Sequence, residues 1–278
     1  MRAPTKTNLV TSPADVSLAV EAAERVVLVH QRVSAVLKAG MTLAQVDKLV
    51  AQALADLQSK SCFLGYRVPR TPPFTSHACL SVNDCIVHGT AGSYTKPLER
   101  GDLFSIDIGV SYKGWIGDAA WTYAIGEYPS DEAKRLMDAG KESLHEGVKE
   151  LHPNNTYKAW AERVEHIVEE KYGFHLTLGL GGHGYGRILH QPPYISNSVP
   201  GWMGEWPDGS RQCKPGTLVA VEPMLAIGTG HTKQKRGEWP IYTADGSLSV
   251  HYEHDVLITE DGPRVLTQGL ENLPDVVG

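Results

Sequence analysis

Apolar residues recur at helical spacing from close to the start of the chain. Ser12-Pro13 offers an N-cap serine followed by a proline at the first helical position. Val16, Val20, Ala23, Val27 and Val33 then repeat near the helical period, and Gly40 supplies a left-handed stop after Ala39. A second helix is predicted at once. Thr42 and Gln45 have capping-box spacing, and Val46, Leu49, Val50, Ala53, Leu54 and Leu57 make one apolar stripe. The same order returns later in the chain. Ser130-Asp131-Glu132 opens a helix carrying Leu136, Met137, Leu144 and Val148, which ends at His152-Pro153. Thr156 caps another, bearing Trp160, Val164, Ile167 and Val168 and closing at Tyr172-Gly173. Each helix pair precedes glycine-rich, strand-like sequence. The expected fold is therefore α+β, with two quasi-equivalent halves around one site. No low-complexity linker separates the halves, so residues 1–278 are expected to form one domain with a short extension over about residues 1–12.

The strand-like runs carry carboxylates that a core does not tolerate unaided. Leu103, Phe104, Ile106, Ile108 and Val110 read as one strand, and Trp115, Trp121, Tyr123 and Ile125 as the returning one, joined at Tyr112-Lys113-Gly114. If the loop holds two residues, paired positions have an odd summed index, and Asp107 and Asp118 point to the same face. Like charges held that close raise one pKa sharply or cost several kcal/mol unless a cation sits between them. His183 stands between glycines in GLGGHGYGRILHQPP, with His190 in the same segment. Glu222 ends the apolar run TLVAV and needs a partner if buried. Glu253 lies between two histidines in SVHYEHDV, and alternation places His251 on its face. Two Asp, one His and two Glu form an oxygen-rich ligand set of the kind that holds two divalent ions about 3.5 to 4 Å apart for hydrolysis. Such a set suits manganese, iron(II), cobalt or zinc and does not choose among them.

Composition narrows the partners. With 278 residues and 41% hydrophobic positions, the chain can bury a substantial core. A net charge of -6 and a pI near 6.0 give no basic field, which disfavours nucleic acid and anionic membrane surfaces as main partners. Cys62, Cys79, Cys85 and Cys213 show no CxxC pair, and no apolar run approaches the roughly 18 residues of a spanning helix. Free thiols, a cytoplasmic location and small-molecule or peptide chemistry are expected.

The segments SVNDCIVHG, GDLFSIDIGVSYKGWIGD, GGHGYGRILHQPP, VEPM and SLSVHYEHDVLIT follow one family's order over roughly residues 20 to 268. On these the chain resembles the type I methionine aminopeptidases of the pita-bread metallopeptidase family, M24. The resemblance implies a curved antiparallel sheet enclosed by two α+β halves. It makes Asp107, Asp118, His183, Glu222 and Glu253 the metal ligands, with Asp118 and Glu253 bridging two ions and Glu222 also shuttling a proton. It makes His88 and His190 the histidines that contact substrate and stabilise the transition state, and it places Phe63, Tyr66, Cys79, Leu189 and Trp239 at a methionine pocket. The activity it implies is removal of the initiator methionine from nascent chains and peptides, with small penultimate residues preferred, by a monomer that works transiently near the ribosome.

Some positions depart from that pattern. Gly109 stands where threonine is frequent, which predicts the loss of one supporting hydrogen bond. His251 replaces a frequent glutamine, Gln191 follows His190 where glutamate is common, and the segment from Tyr66 to Cys79, with Pro69, Pro72 and Pro73, is longer than usual. Two other readings follow from the same residues. Asp107-Ile108-Gly109 looks like the X-Pro aminopeptidase and dipeptidase branch of the fold, and a catalytically inactive binding protein would share the architecture.

Overall fold

The structure, a computed structural model, describes residues 9–201 and 205–278. Most of the expected N-terminal extension lies outside the described residues. Its last part is tied down, because Val10 N–H donates to the Gly216 carbonyl at 2.9 Å.

The first half opens with helices α1 (Pro13–Ser34) and α2 (Leu43–Asp56). Ser12 caps α1 by accepting from Asp15 N–H. The capping box on α2 is present in both directions, Gln45 N–H to Thr42 Oγ1 and Thr42 N–H to Gln45 Oε1. The predicted end of α1 is corrected. The helix stops at Ser34 rather than Ala39, so that Leu37 turns into the core, and Gly40, with φ +88°, serves the turn before α2. Strands β1 (Lys60–Ser61), β2 (Cys79–Val82), β3 (Cys85–Val87), β4 (Leu103–Tyr112) and β5 (Trp115–Ile125) follow. β4 and β5 form the predicted hairpin. Lys113 and Gly114 are its two loop residues, both with positive φ (46° and 81°), as a type I′ turn requires. α1 presses on this hairpin where Gly117 lacks a side chain, since a Cβ there would stand 2.7 Å from the Ala22 backbone.

The second half repeats the plan. Helix α3 (Asp131–Val148), capped by Ser130, and helix α4 (Tyr157–Glu165) precede β6 (His175–Leu176), β7 (Gly181–Gly184), β8 (Gln191–Ser196), β9 (Leu218–Val221), β10 (Met224–Ala226), β11 (Thr232–Gln234), β12 (Ile241–Thr243), β13 (Ser249–His251), β14 (His254–Thr259) and β15 (Gly262–Val265). After α4 the helix widens into a π turn over His166–Lys171, which keeps Ile167 and Val168 buried before Gly173 ends the segment. Thr156 stands at the N-cap without a side-chain hydrogen bond.

One sheet runs β1-β4-β5-β16, with β2 also on β4 and β16 being Val276–Val277; another runs β15-β14-β9-β7-β8. The two are stitched side by side. Asp118 N–H donates to Asp255 Oδ2 at 2.9 Å, Glu253 N–H donates to the Ala120 carbonyl at 2.9 Å, and Thr122 exchanges hydrogen bonds with the His251 backbone. Alternate residues of β5 thus meet alternate residues of 251–255. The result is one curved surface flanked by both helix pairs, the two-halved α+β arrangement that the helix echo predicts.

Candidate metal centre

Asp107 and Asp118 do share a face. In the β4–β5 register Asp107 lies opposite Ala120 and Gly109 opposite Asp118, so the two carboxylates project together from neighbouring strands. β7 and β9, paired at His183 and Ala220, add His183 and bring Glu222 just past the end of β9. The seam between the halves adds Glu253. Asp107, Asp118, Glu222 and Glu253 are all at least nine-tenths buried. Ligand atoms of Asp118, His183 and Glu253 lie within 4.8 Å of one another, and so do those of Glu222, His251 and Glu253.

Four buried carboxylates, with no lysine or arginine paired to them among the described residues, form an electrostatic conflict. Burial pushes Asp107 up to about 7. Asp118 and Glu253 are also raised, first by desolvation and then by a neighbouring carboxylate, Asp107 for the former and Asp118 for the latter. Oδ1 of Asp107 and Oδ1 of Asp118 have no hydrogen-bond partner. Orphaned acceptors converging on one spot fit a cation, and the oxygen-rich donor set fits a divalent one. His183 is oriented to join it: Nδ1 lies 3.2 Å from the Gly184 carbonyl, and Nε2 faces Asp118 Oδ2 at 3.8 Å and Glu222 Oε1 at 3.9 Å. With Nδ1 donating to that carbonyl, the Nε2 lone pair is free for a metal. Burial holds the His183 pKa down at about 3, which keeps the ring neutral.

A cavity of about 150 Å³ opens beside the carboxylates. It is lined by the expected ligands Asp107, Asp118, His183, Glu222 and Glu253, by the histidines His88 and His190, and by the expected wall residues Phe63, Tyr66, Cys79, Leu189 and Trp239. His88 sits at φ +59°, a conformation that aims its ring at the cavity from the end of β3, and burial holds its pKa at about 4. His190 packs edge-on to His183, with centroids 4.4 Å apart, and its Nδ1 lies 2.6 Å from the Tyr66 hydroxyl. With that hydroxyl donating, His190 carries its proton on Nε2.

The wall also contains a residue that no spacing rule singles out. Phe74 comes from the long proline-bearing segment and stands edge-on to both Phe63 (6.3 Å) and Trp239 (5.2 Å). The segment is pinned by Trp239 Nε1–H to the Pro72 carbonyl and by paired backbone bonds of Phe74 with Gly65 and Tyr66. Its extra length therefore builds one side of the pocket. Gly109 likewise has a packing reason. A Cβ there would stand 2.3 Å from Cys62 Sγ and 2.5 Å from Phe63 Cε1, so the space of a side chain is already filled by the pocket wall. His251 is buried, and its Nε2 lies 3.1 Å from Glu222 Oε2, which places it in the carboxylate cluster rather than on the surface.

A two-halved α+β fold with a buried carboxylate–imidazole cluster beside an apolar pocket defines a metallohydrolase of the pita-bread class. The family model for metallopeptidase family M24 matches residues 18–260, and the chain belongs to that family. Over 83% of its length it is 37% identical to a methionine aminopeptidase of Aquifex aeolicus, covering 87% of that protein. It is 32% identical to methionine aminopeptidase 1 of Bacillus subtilis, over 92% of this chain and 98% of the relative. The crystal structure of methionine aminopeptidase from Thermotoga maritima superposes with a TM-score of 0.83 at 32% identity, covering 92% of this chain and 98% of that one. Among the described residues no helix is long and apolar enough to cross a membrane.

Proposed function

We propose that this protein is a two-metal methionine aminopeptidase that removes the initiator methionine from nascent chains and peptides with a small second residue. The observation that carries this reading is the convergence of four buried carboxylates and a neutral imidazole on the floor of one aromatic-walled pocket. Asp107, Asp118, His183, Glu222 and Glu253 would hold the two ions. When bound, the pair supplies Lewis acidity for the scissile carbonyl and for water.

The chain's own residues do the rest. The wall of Phe63, Tyr66, Phe74, Cys79, Leu189 and Trp239 accepts a flexible thioether by dispersion and sulfur–aromatic contact, and it excludes water from the carboxylates. The methionine side chain therefore goes into the pocket and the α-amine lies against the carboxylate floor. That arrangement limits cleavage to the first peptide bond. Glu222 Oε1 accepts the proton of the attacking water and returns it to the departing amine. His190, its Nε2 proton directed by Tyr66, and His88 hydrogen-bond the carbonyl oxygen as negative charge develops on it. The reading also carries a cytoplasmic monomer that meets its substrates close to the ribosome.

The deciding assay compares Met-Ala-Ser with Ala-Pro peptides across manganese, iron(II), cobalt and zinc. Release of methionine from Met-Ala-Ser is expected with at least one metal. Efficient cleavage of Ala-Pro peptides alone would move the protein to the X-Pro branch, and no turnover of either would make it a binding protein.

A further inference from the structure

Neighbouring residues at the seam open onto different cavities. Glu253 faces the pocket described above, whereas His254 lines a second cavity of about 280 Å³ together with Trp121, His145 and Glu271. His254 is 1% exposed, yet its Nε2 has no hydrogen-bond partner, and the same is true of the buried Trp121 Nε1. A buried imidazole nitrogen without a bond is costly, so its surroundings deserve a partner. Glu271 Oε1 is the nearest candidate, 3.6 Å from His254 Nε2. The same oxygen lies 3.5 Å from His145 Nδ1, on the last turn of α3.

Two imidazole nitrogens therefore flank one carboxylate oxygen. Donors held at about 2.0 to 2.1 Å by one tetrahedral zinc ion stand roughly 3.3 Å from each other. Two of the three separations are already close to that figure. The imidazoles do not yet close on each other, because the three residues are not all mutually within 4.8 Å. His145 is the side chain free to close the gap, being 53% exposed on a helix end, whereas His254 is fixed by Nδ1 against Thr267 Oγ1 at 2.9 Å. Such a bond to the remote nitrogen is the usual support of a ligating histidine. Other charged groups at the cavity are already engaged: Lys141 with Asp275 at 2.6 Å, and Glu142 with Tyr172 and Lys171.

We propose that His145, His254 and Glu271 form a third divalent-metal site, separate from the catalytic pair, that takes a zinc-class ion with water as the remaining ligand. A two-nitrogen, one-oxygen set favours zinc over magnesium or calcium. Because His254 directly follows Glu253 in the chain, an ion there fixes the backbone that presents Glu253 to the catalytic centre.

Equilibrium dialysis of the full chain against zinc, followed by elemental analysis, tests the proposal. Wild-type protein should retain three ions. His145→Ala and Glu271→Gln, neither of which touches the pocket, should each retain two, with affinity for the third reduced at least tenfold. Asp118→Asn separates this site from the catalytic one, since it should lower uptake at the main centre while leaving the ion that depends on His145. A wild-type limit of two ions, both lost in Asp118→Asn, would overturn the proposal, as would a third ion that persists undiminished in both His145→Ala and Glu271→Gln. A single ion abolished by His145→Ala and indifferent to Asp118→Asn would uphold the third site and refute the two-metal reading.

Discussion

Gly109→Ala puts one methyl group where the pocket wall already is. The added Cβ would stand 2.3 Å from Cys62 Sγ and 2.5 Å from Phe63 Cε1. A relaxed carbon contact needs about 3.5 Å, so each neighbour must retreat by roughly 1 Å. Cys62 has little room to do so, because its N–H donates to the Gly109 carbonyl itself at 3.0 Å and moving it opens the β1–β4 edge. Phe63 can move, but only against Phe74 or into the cavity of about 150 Å³. Overpacking of this kind costs about 1 to 3 kcal/mol. The expected result is a lower urea midpoint at unchanged slope, and kcat/KM for Met-Ala-Ser reduced about tenfold or more, chiefly through KM. Phe63→Leu shortens the opposing ring, so the double variant should recover part of both losses, with a coupling of about 0.5 to 3 kcal/mol. Wild-type stability and kinetics in Gly109→Ala, or strict additivity with Phe63→Leu, would refute the claim that the glycine is kept free for the wall.

Other outcomes follow from the same geometry. His190→Ala should lower kcat by about a hundredfold, while Tyr66→Phe, which removes only the 2.6 Å partner of His190 Nδ1, should cost much less; equal losses would deny Tyr66 a merely orienting role. His30 is buried between the Tyr123 hydroxyl and the Ala119 carbonyl, and desolvation lowers its pKa from 6.5 to about 4. Its neutral form is therefore the folded form. Stability from this group is complete above pH 6.5 and is lost as pH falls toward 4, by about 2 kcal/mol at pH 5. Urea titrations at pH 7 and pH 5 should show a smaller acid loss in His30→Gln than in wild type. Stripping metal with a chelator should lower Tm. Because burial raises Asp107 from 3.8 to about 7, the stripped protein has this group's stability in full only below pH 3.8 and loses it progressively until pH passes 7, so restored manganese should add more to Tm at pH 8 than at pH 6. A gain independent of pH would mean that these carboxylates are already ionised without the ion.

The hairpin was readable from residue parity alone, because a two-residue turn fixes which side chains share a face and the pair Lys113-Gly114 is chemically suited to that turn. Capping residues located the starts of α1, α2 and α3 correctly for the same reason: a cap is a local interaction. What could not be read locally is where long-range packing decides. α1 ends at Ser34 because Leu37 is needed in the core, and nothing in the helical period records that demand. Phe74 joins the pocket only through the path of a proline-rich loop held by Trp239. Gly109 looks like a lost threonine in sequence and is a filled space in three dimensions. Asp255 has no local signal in the sequence, since the bond from Asp118 N–H to Asp255 Oδ2 links positions far apart in the chain.

That last bond explains why the site lies where it does. Asp107 and Asp118 belong to the first half; His183, Glu222 and Glu253 belong to the second. Brought together, these carboxylates are disfavoured by burial and by repulsion across the seam, as the raised pKa values of Asp107, Asp118 and Glu253 record. The backbone stitching at Asp118–Asp255, Ala120–Glu253 and Thr122–His251 brings the two sets together without relieving that repulsion. Divalent ions held from both sides would relieve it and cross-link the halves in the same act. Metal binding and closure of the seam then draw on one free energy, so a substitution that loosens the seam without touching a ligand should weaken metal affinity and stability in proportion. Thr122→Val is the direct case. It removes the hydroxyl that exchanges hydrogen bonds with the His251 backbone and leaves all five proposed ligands intact. Weaker manganese binding together with a lower Tm is expected; a lower Tm at unchanged manganese affinity would show that the seam and the centre are energetically separate.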